Sequence, residues 1–441
     1  MSIDLIKLKR LSTTLLIGLL MASASAFSRQ HTFNAPPTAI VAPIVEALSP
    51  KDRVDAFEDV WETISEKYYD PSFNGVNWRA VRERYRPMIE QAGSDEAFYV
   101  LLKQMVGELH DAHTRFATPE ERRERERYEA VSAGVSIFEV EGKPVIVGVE
   151  PDSEASRAGL QEGMLVLEID GKPVADRLAD ARARVAGSST DRAVQLRIYR
   201  LLIDGLSGST LKLKVARADG SAFEASLVRH VVADNAVVTS RRLPSGMGYI
   251  KLTLWKSPIR KQFKRALEEF QNAPGVIVDI RGNPGGEAEE VVKIASFFFN
   301  SHVPFGKFSS RSGKAIFFRT SDGDQVYKGP VAILVNEGSG SGSELFAGVM
   351  QENRRAIIVG RRSCGCVLGI SKFKRVKGGG ELAVSELGYL SPLGKTFEGT
   401  GVIPNNAVAL TISDLQQHRD AALEEAESVL RTRIEPKTSS R

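Results

Sequence analysis

A short apolar run that leads directly into a glycine–serine turn constrains the fold of this chain more than any other segment. Residues 331–335 are all apolar, which indicates a buried strand. The turn GSGSGSE (338–344) follows, and the apolar side chains after it recur at helical spacing as far as Met350. A second apolar run at 357–359 predicts another buried strand. The segment therefore predicts a strand–turn–helix–strand unit of an α/β domain.

The serines of this turn are candidates for a catalytic nucleophile. A hydroxyl at a strand-to-helix turn is exposed, and the first N–H groups and the positive dipole end of the helix point toward it. Such N–H groups can hold the oxyanion that forms when a serine attacks a carbonyl carbon. A helix-capping turn without any chemistry has the same composition. The turn by itself does not decide between these two interpretations.

Four further segments favour the catalytic interpretation. They are LHDAHTRF (109–116), a strand-rich region at about 132–230, VIVDIRGNPGG (276–286) and EGTGVIP (398–404). Together with the glycine–serine turn, and in the same order, these segments resemble the carboxyl-terminal processing proteases and their tricorn-type relatives. The resemblance covers about residues 55–430. It implies that the middle serine, Ser341, is the nucleophile, with Ser339 and Ser343 on either side.

One feature of the resembling proteases is missing from this chain. The processing proteases use a lysine as general base, and a glutamine orients that lysine. Cys366 and Ile370 stand at the two matching positions here. If the chain is catalytic, another residue must therefore take the proton from the serine.

His113 is the candidate for that base. In tricorn-type relatives a histidine just after the third helix has this role, and His113 matches its position; a glutamate completes the catalytic group there, and Glu398 matches it. Taken alone, a histidine near a helix end or a glutamate beside a turn is more often structural. We expect His110 to be a surface or helix-end residue and Asp111 to cap the following turn. An imidazole with its ordinary pKa of ~6.5 is a better unassisted base at neutral pH than a lysine at ~10.4.

Glycines near two of these segments are candidates for an oxyanion hole. Gly285 and Gly286 follow a predicted buried strand at 276–280. Glycine allows backbone N–H groups to approach a ligand closely. The resemblance implies that this turn supplies one half of the oxyanion hole and the N–H of Gly342 the other half. A sharp turn without a catalytic role has the same pattern.

Residues 131–232 resemble a PDZ module, with two strands, a short helix and a third strand in the order typical of that fold. Such modules bind the end of a polypeptide by adding it as a strand to an open sheet edge. Ala133, Gly134 and Val135 match the carboxylate-binding loop. A further strand is predicted at 194–199. A PDZ-shaped lid without peptide affinity is an equal alternative.

The amino-terminal residues have the pattern of a secretory signal peptide. A basic start is followed by an apolar run at 11–21 and by the small-x-small sequence Ala24-Ser25-Ala26. The apolar run is shorter than the roughly 20 residues that span a bilayer, and a retained amphipathic anchor is the alternative. Cleavage near Ala26 predicts a secreted or periplasmic protein. No other apolar stretch approaches transmembrane length.

The complete prediction is a multidomain protein that combines α+β and α/β parts. Its five segments are a signal peptide (1–26), a disordered arm (27–52), an N-terminal helical domain (53–130), a PDZ-like β module (131–232) and a crotonase-like (ClpP-type) α/β spiral core (233–435). The spiral core is implied by the resemblance. Within it we expect a basic, glycine-rich loop at 372–380 and one closing helix at 414–433.

Composition limits the partners of the chain. The formal net charge is only +4 over 441 residues, and the arginine-rich stretch at 120–130 alternates in sign, which suits a solvated helix rather than a nucleic-acid surface. The six histidines are scattered, and the two cysteines are too few for a zinc site or a disulfide framework. We therefore expect no metal, cofactor or nucleic acid and a polypeptide as partner. The sequence does not indicate the oligomeric state.

These observations favour a serine endopeptidase that hydrolyses unstructured polypeptides or C-terminal tails. In this hypothesis Ser341 attacks, His113 moves the proton and Glu398 orients or charge-balances the imidazole. A catalytically inactive, peptide-binding scaffold of the same fold is the second hypothesis. Thiol chemistry is the third, with Cys366 as nucleophile or with Cys364 and Cys366 as a redox pair. A bridge across a single glycine is sterically tight, so Cys366 is expected to be a small buried packing residue.

Overall fold

The computed structural model describes residues 47–126, 129–233, 236–322 and 326–434. The predicted signal peptide (1–26) and the predicted arm as far as residue 46 lie outside the described residues. Within the described ranges, no helix is both long and apolar enough to cross a membrane.

Three helices form the first part of the described chain: α1 (Pro50–Lys67), α2 (Trp78–Glu90) and α3 (Asp95–Gly107), with a 3-10 turn at Phe73–Gly75. Each α-helix begins after a polar residue whose side chain accepts an N–H of the first turn, namely Ser49, Asn77 and Ser94. The inward faces share one apolar cluster that includes Phe57 and Phe98. α1 begins at Pro50, inside the stretch assigned to the arm.

A β module is inserted after this helical part. The elements that lead into it and build it are β1 (Arg115–Ala117), α4 (Pro119–Glu126), β2 (Glu129–Ser132), β3 (Val135–Val140), β4 (Lys143–Val149), α5 (Glu154–Arg157), β5 (Leu165–Ile169), β6 (Lys172–Pro173), α6 (Val174–Arg184), α7 (Asp191–Ile203), β7 (Thr210–Ala216), β8 (Ala222–Val228) and β9 (His230–Ala233). β2 and β9 pair antiparallel as a two-stranded stem. The strands between them form one sheet in the order β3-β4-β5-β7-β8, with β6 beside β5. β3 is thus an edge strand, and α7 packs against it.

The strand predicted at 194–199 is wrong, because these residues lie in α7. Valine, isoleucine and tyrosine in this stretch favour strands locally. The Thr190 side chain caps the helix by accepting the Ala193 N–H at 3.2 Å. Burial also follows a helical period, since Ile198 and Leu202 point into the core of the module. Capping and packing therefore override the local strand preference.

The α/β core contains the remaining elements. They are β10 (Val238–Arg242), β11 (Gly248–Leu252), α8 (Ile259–Glu269), β12 (Val276–Asp279), α9 (Ala288–Ala295), a 3-10 turn (Ser296–Phe298), β13 (Pro304–Ser310), β14 (Ala315–Arg319), β15 (Val331–Val335), α10 (Gly342–Glu352), β16 (Ala356–Gly360), β17 (Leu368–Arg375), β18 (Glu381–Leu390), β19 (Asn406–Ala407), α11 (Ile412–Gln416) and α12 (Ala421–Ile434). Six strands form a sheet in the order β10-β11-β12-β15-β16-β19. All its pairs are parallel except β10 with β11.

β15 is buried on both faces of this sheet, which explains its unbroken apolar sequence. Val331, Ile333 and Val335 belong to the large cluster that contains residues of α8, α9 and α10. Ala332 and Leu334 belong to a second cluster, which contains residues of α12. The strand therefore delivers the following turn from the centre of the core.

A second sheet connects the helical part to the core. Its order is β1-β18-β13-β14, with β17 also paired to β18.

Two sequence-based expectations about the last part of the chain are wrong. Residues 372–375, expected in a basic loop, belong to β17, because they pair with the apolar strand β18. The closing helix expected at 414–433 is two helices, α11 and α12, separated near His418, whose φ of 52° cannot continue an α-helix.

We predict that Thr114→Val will lower stability by about 1–3 kcal/mol, because buried polar groups would lose their partner. The Thr114 hydroxyl donates to Asp111 and accepts the Ser385 N–H at 3.0 Å, which ties the end of the helical part to β18. Urea unfolding would measure the loss. Thr239→Val, on an exposed position of β10, is the matched control and should stay within about 0.5 kcal/mol. Equal effects of the two changes would contradict this role of Thr114.

Candidate active site

Ser341 lies in the middle of the glycine–serine turn and is the N-cap residue of α10. Its backbone φ is 50°, in the left-handed region that residues other than glycine rarely adopt. The residue is partly exposed. Its hydroxyl donates no hydrogen bond to any described residue. A hydroxyl whose proton is not engaged is thereby presented at the start of a helix.

The two neighbouring serines are fully buried and hold the turn in place. The Ser339 hydroxyl donates to the Ile280 carbonyl at 2.8 Å. The Ser343 hydroxyl donates to the Asn283 carbonyl at 2.9 Å. Both bonds reach the loop that follows β12. Ser341 is therefore the serine of this turn whose hydroxyl proton is available.

Glu344 ties the glycine–serine turn at 338–344, the candidate nucleophile turn, to the loop at 363–366. Its carboxyl group accepts four hydrogen bonds, from the Ser363 hydroxyl at 2.6 Å and from the N–H groups of Gly365, Cys366 and Ser341 at 2.7, 2.9 and 3.0 Å. Burial raises the pKa of Glu344 to about 7, while these hydrogen bonds oppose the rise. One buried carboxyl group thus fixes two loops at once. The Ser-x-x-Glu spacing of a capping box was a readable signal for it.

Two backbone N–H groups beside Ser341 have no acceptor among the described residues, those of Gly286 and Gly342. The two turns pack closely, since a Cβ added to Gly342 would lie 3.4 Å from the Gly286 nitrogen and one added to Gly285 would lie 2.6 Å from Ser341 Cβ. The Gly285 N–H is already engaged, because it donates to Asn283 Oδ1 at 3.0 Å. Of the three glycine candidates, Gly286 and Gly342 can therefore donate to an oxyanion, and Gly285 shapes the turn.

A disulfide joins Cys364 and Cys366 directly beside the nucleophile turn. Gly365, at a φ of 78°, allows the chain to bend sharply between them, and the two Cα atoms lie 5.3 Å apart, which is within the usual range for a disulfide. Both cysteines are buried, as expected for Cys366. The expectation of a packing thiol at this position is nevertheless wrong, because neither sulfur is a free thiol.

His113 lies on the loop between α3 and β1. The Asp111 carboxylate accepts the backbone N–H of His113 at 2.7 Å and also the Thr114 hydroxyl, so Asp111 caps this turn. The His113 Nδ1 atom is buried and has no partner in the described part of the chain. Burial lowers the pKa of His113 to about 4; Asp111 opposes this shift, and the positive charges of Arg115 and Arg197 add to it. The imidazole is therefore neutral at pH 7.

The segments of Ser341 and His113 both contact the disulfide. Ala112, the residue before His113, packs against the small cluster formed by Ala193 and the two cysteines. On the other side, the Cys366 carbonyl accepts the Ser341 N–H at 2.9 Å. In the described residues, no hydrogen bond joins the Ser341 hydroxyl to the imidazole.

Glu398 lies next to the loop that carries the disulfide and is partly buried. Its Oε2 accepts the Val367 N–H. Burial raises the pKa of Glu398 to about 8, although the hydroxyl of Ser189 interacts with the carboxyl group and opposes the rise. Ser189 Oγ also accepts the Ala112 N–H at 2.9 Å. Glu398 therefore reaches the His113 loop through Ser189 and forms no hydrogen bond with the imidazole.

The segment that begins α7 supplies contacts that sequence reasoning missed. It makes three hydrogen bonds to two loops of the site: Thr190 Oγ1 to the Cys364 carbonyl at 2.6 Å, Arg192 Nε to the Ser363 carbonyl at 2.9 Å and Arg197 Nη2 to the Ala112 carbonyl at 2.9 Å. No local pattern marks these residues, because their partners are distant in sequence.

The predicted carboxylate-binding loop lies at the start of the PDZ-like sheet. Ala133 is buried, and Val135 begins β3. Gly134 has a φ of 73°, and its N–H donates to Ser132 Oγ at 3.0 Å. One of the three N–H groups assigned to a carboxylate is thus already engaged.

The histidines and acidic residues do not gather into a metal site in the ranges that the structure covers. No group of three or more His, Cys, Asp and Glu side chains there could hold a metal ion. His110 is exposed at the end of α3, with a φ of 48°. The chemistry available to this site is therefore that of its side chains and backbone N–H groups.

Comparison with known proteins finds similarity to peptidases. Three family models match the chain, namely peptidase family S41 at residues 246–408, the tricorn protease C1 domain at 49–107 and the PDZ domain at 145–200. Carboxyl-terminal-processing peptidase 3 (chloroplastic) of Arabidopsis thaliana is 27% identical over 404 residues, which cover 88% of this chain and 76% of that protein. The carboxyl-terminal-processing protease of Picosynechococcus sp. is 28% identical over 389 residues, which cover 84% and 86%. The chain resembles the carboxyl-terminal-processing and tricorn-type peptidases over most of its length.

Solved structures of peptidases share the fold of this chain. The photosystem II D1 C-terminal processing protease matches with a TM-score of 0.57 and 24% identity, over 86% of this chain and 97% of that one. Mature CPAF matches with a TM-score of 0.66 and 14% identity, over 86% and 96%. The predicted combination of a helical region, a PDZ module and an α/β peptidase core is confirmed, and the family is one of serine-type peptidases.

We predict that Glu344→Gln will lower both stability and peptidase activity. Both carboxylate oxygens of Glu344 accept hydrogen bonds, and glutamine replaces one of these oxygens with an NH2 group that cannot accept one. At least one buried donor would therefore lose its acceptor, at a cost of about 1–3 kcal/mol. Thermal unfolding and turnover of an unstructured protein substrate would measure the two effects. Glu352→Gln, at the end of the same helix, is the control and should change turnover by less than about twofold. Turnover of Glu344→Gln at the wild-type level would show that Glu344 does not position Ser341.

Proposed function

We propose that this chain is a serine endopeptidase that hydrolyses unstructured polypeptides or C-terminal tails, with Ser341 as nucleophile. The observation that carries the proposal is the available Ser341 hydroxyl beside the two unengaged N–H groups of Gly286 and Gly342. A peptide carbonyl placed there meets an attacking oxygen on its carbon and N–H donors at its oxygen. The arrangement is that required for acyl transfer.

His113 is the base in this proposal. It accepts the proton as Ser341 attacks and returns it to the leaving amine, after which water hydrolyses the acyl-enzyme. The base must be neutral before the reaction, and burial keeps the imidazole neutral at pH 7. A buried nitrogen without a partner calls for an explanation in a native protein, and a role in proton transfer at His113 Nδ1 supplies one.

The two nearby carboxyl groups have different roles. Asp111 is bonded to the His113 loop and favours the protonated imidazole, so it balances the charge that forms during proton transfer. The raised pKa of Glu398 leaves this group largely protonated at neutral pH, which argues against charge balance by Glu398. We assign Glu398 instead to positioning, through Ser189, the loop that carries His113.

The PDZ-like module supports a polypeptide substrate. β3 is an edge strand, and an extended peptide can pair with such an edge. A groove of about 620 Å³ begins at residues 136–138 of β3 and Leu196 of α7 and continues to residues 336–338, at the start of the glycine–serine turn. A chain bound at the module could thereby extend toward Ser341. Ala133 and Val135 remain the residues proposed to hold a terminal carboxylate.

Secretion to the periplasm or beyond is part of the proposal. The predicted signal peptide at 1–26 supports it. The Cys364–Cys366 disulfide also supports it, because disulfides persist in oxidising compartments and are rare in the cytosol.

A peptide-binding scaffold is the second candidate, favoured by the missing hydrogen bond between Ser341 and His113. Catalytic hydrogen bonds are often long before substrate binds and tighten in the reacting complex. The absence of a hydrogen bond between Ser341 and His113 therefore fits both candidates, and activity measurements separate them.

We predict that Ser341→Ala will abolish cleavage of casein and that His113→Ala will lower kcat by about 10²–10⁴-fold, the range typical of a lost general base. The double variant should be little slower than the worse single one, because the two groups act as a unit. His110→Ala, an exposed histidine on the same segment, is the matched control and should keep wild-type turnover. Activity that survives in Ser341→Ala would refute the nucleophile, and an inactive wild-type protein would favour the scaffold.

The pH dependence provides a separate prediction. A free enzyme whose base titrates at about 4 should keep a constant kcat/KM from pH 7 down to about 5 and lose it only near pH 4, as His113 takes up a proton. The ordinary imidazole pKa of ~6.5 would place this acid limb higher. Initial rates on a fluorogenic peptide across this range would locate the limb, with circular dichroism as the check on folding. A limb near pH 6.5 would contradict the buried, neutral His113 described above.

A further inference from the structure

The Cys364–Cys366 disulfide is the one covalent cross-link in the described chain, and it involves both cysteines of the sequence. It lies at the site where the resembling proteases carry a lysine, and the proposed mechanism does not use it. Its two residues are 8% and 5% exposed, so a small reagent can reach the bridge only slowly.

On one side the bridge is bonded to the nucleophile turn. The Cys366 carbonyl accepts the Ser341 N–H at 2.9 Å, and the Cys364 N–H donates to the Ser339 carbonyl at 3.0 Å. The Cys366 N–H donates to Glu344, which also holds the Ser341 N–H. Any movement of the bridged turn is therefore transmitted to the backbone of Ser341.

On the other side the bridge is packed against fixed structure. Its sulfur-bearing residues share a small cluster with Ala193 of α7 and with Ala112, next to His113. Thr190 Oγ1 donates to the Cys364 carbonyl at 2.6 Å. An ideal Cβ on Gly340 would lie 3.5 Å from Cys364 Cβ, so the nucleophile turn itself closes this side. The bridge is therefore enclosed by α7, by the segment before His113 and by the glycine–serine turn.

We propose that the Cys364–Cys366 disulfide is a positioning element for Ser341 and that its reduction by a dithiol converts the peptidase reversibly to a slow form. The inference rests on the proposed function. In the reaction, a thiolate of the dithiol attacks one bridge sulfur, forms a mixed disulfide and releases the other cysteine as a thiol. The second thiol of the reagent then attacks the reagent sulfur of the mixed disulfide and releases the remaining cysteine. The bridge gains two electrons and two protons as two thiols, and the dithiol becomes a cyclic disulfide.

The size of the sulfur atoms explains the loss of activity. Bonded sulfurs lie about 2.0 Å apart, whereas non-bonded heavy atoms need about 3.5–4 Å. Reduction therefore demands more than 1 Å of extra separation in a close-packed site, where small volume changes are felt. The bonded turn must move, and Ser341 moves with it. A displacement of about 1 Å at a reacting group can lower a rate about 10²-fold.

The test compares oxidised and reduced wild-type protein with the Cys364→Ala/Cys366→Ala variant. After incubation in dithiothreitol, alkylation and mass spectrometry establish that both thiols have formed. We expect kcat on casein to fall about 10–100-fold, by the displacement argument, with KM within about threefold, and we expect reoxidation to restore it. The double variant has neither the cross-link nor the sulfur atoms that must separate on reduction, so its kcat should be indifferent to dithiothreitol. The chain has no other cysteine, so no second bridge can produce the effect.

Two results would overturn the proposal. They are an unchanged kcat in fully reduced wild type and an equal response of the double variant to dithiothreitol. Faster turnover after reduction would also reverse the assignment of the active form.

A second measurement separates this inference from the proposed function. Hydrogen exchange of the Ser341, Gly365 and Cys366 amides should accelerate on reduction, whether or not the protein is a peptidase, because their hydrogen bonds depend on the bridged turn. Accelerated exchange in a protein that cleaves nothing would support the positioning role while removing the proposed function. Unchanged exchange in an active enzyme would remove the positioning role alone.

Discussion

The four hydrogen bonds to the buried Glu344 carboxyl group are the interaction on which the site depends. Ser341 is held at a left-handed φ, a conformation that costs of order 1–3 kcal/mol and persists only when the surroundings over-determine it. Glu344 supplies that constraint through the Ser341 N–H and through three donors of the loop at 363–366. Burial of the carboxyl group is costly by itself, and its four donors offset the cost. The strained backbone of Ser341 and its neighbouring loop are thus stabilised by one side chain.

The parallel sheet explains why distant segments meet around this residue. β12, β15 and β16 are parallel neighbours, so the loops that follow them emerge at the same edge. The first loop carries Gly286, the second carries Ser341 and the third carries the disulfide. Their contacts are short because adjacent strands lie only about 4.8 Å apart. The position of the site is therefore a property of the sheet, and the loops provide the chemistry.

Sequence reasoning predicted the strands with continuous apolar runs, because a strand that is buried on both faces has no other pattern. It also predicted the nucleophile turn, where composition, position and a family resemblance agreed. It failed at 194–199, where strand-favouring side chains occupy a helix whose cap and buried face decide the outcome. It could not predict the pKa values of His113 and Glu398, because both follow from burial by segments remote in sequence. Ser189 was missed for the same reason.

The two-stranded stem of β2 and β9 has a consequence for how such a protein can change. Because the entry and exit strands lie side by side, the module between them interrupts the rest of the chain without separating its parts. Such an insertion can be lengthened, exchanged or lost in a gene at small cost in loop-closure entropy. The start of α7, however, bonds to loops of the core. A chain that discarded the module would still close its backbone, yet it would leave those loop carbonyls without their donors, so inheritance of the module is linked to inheritance of the site.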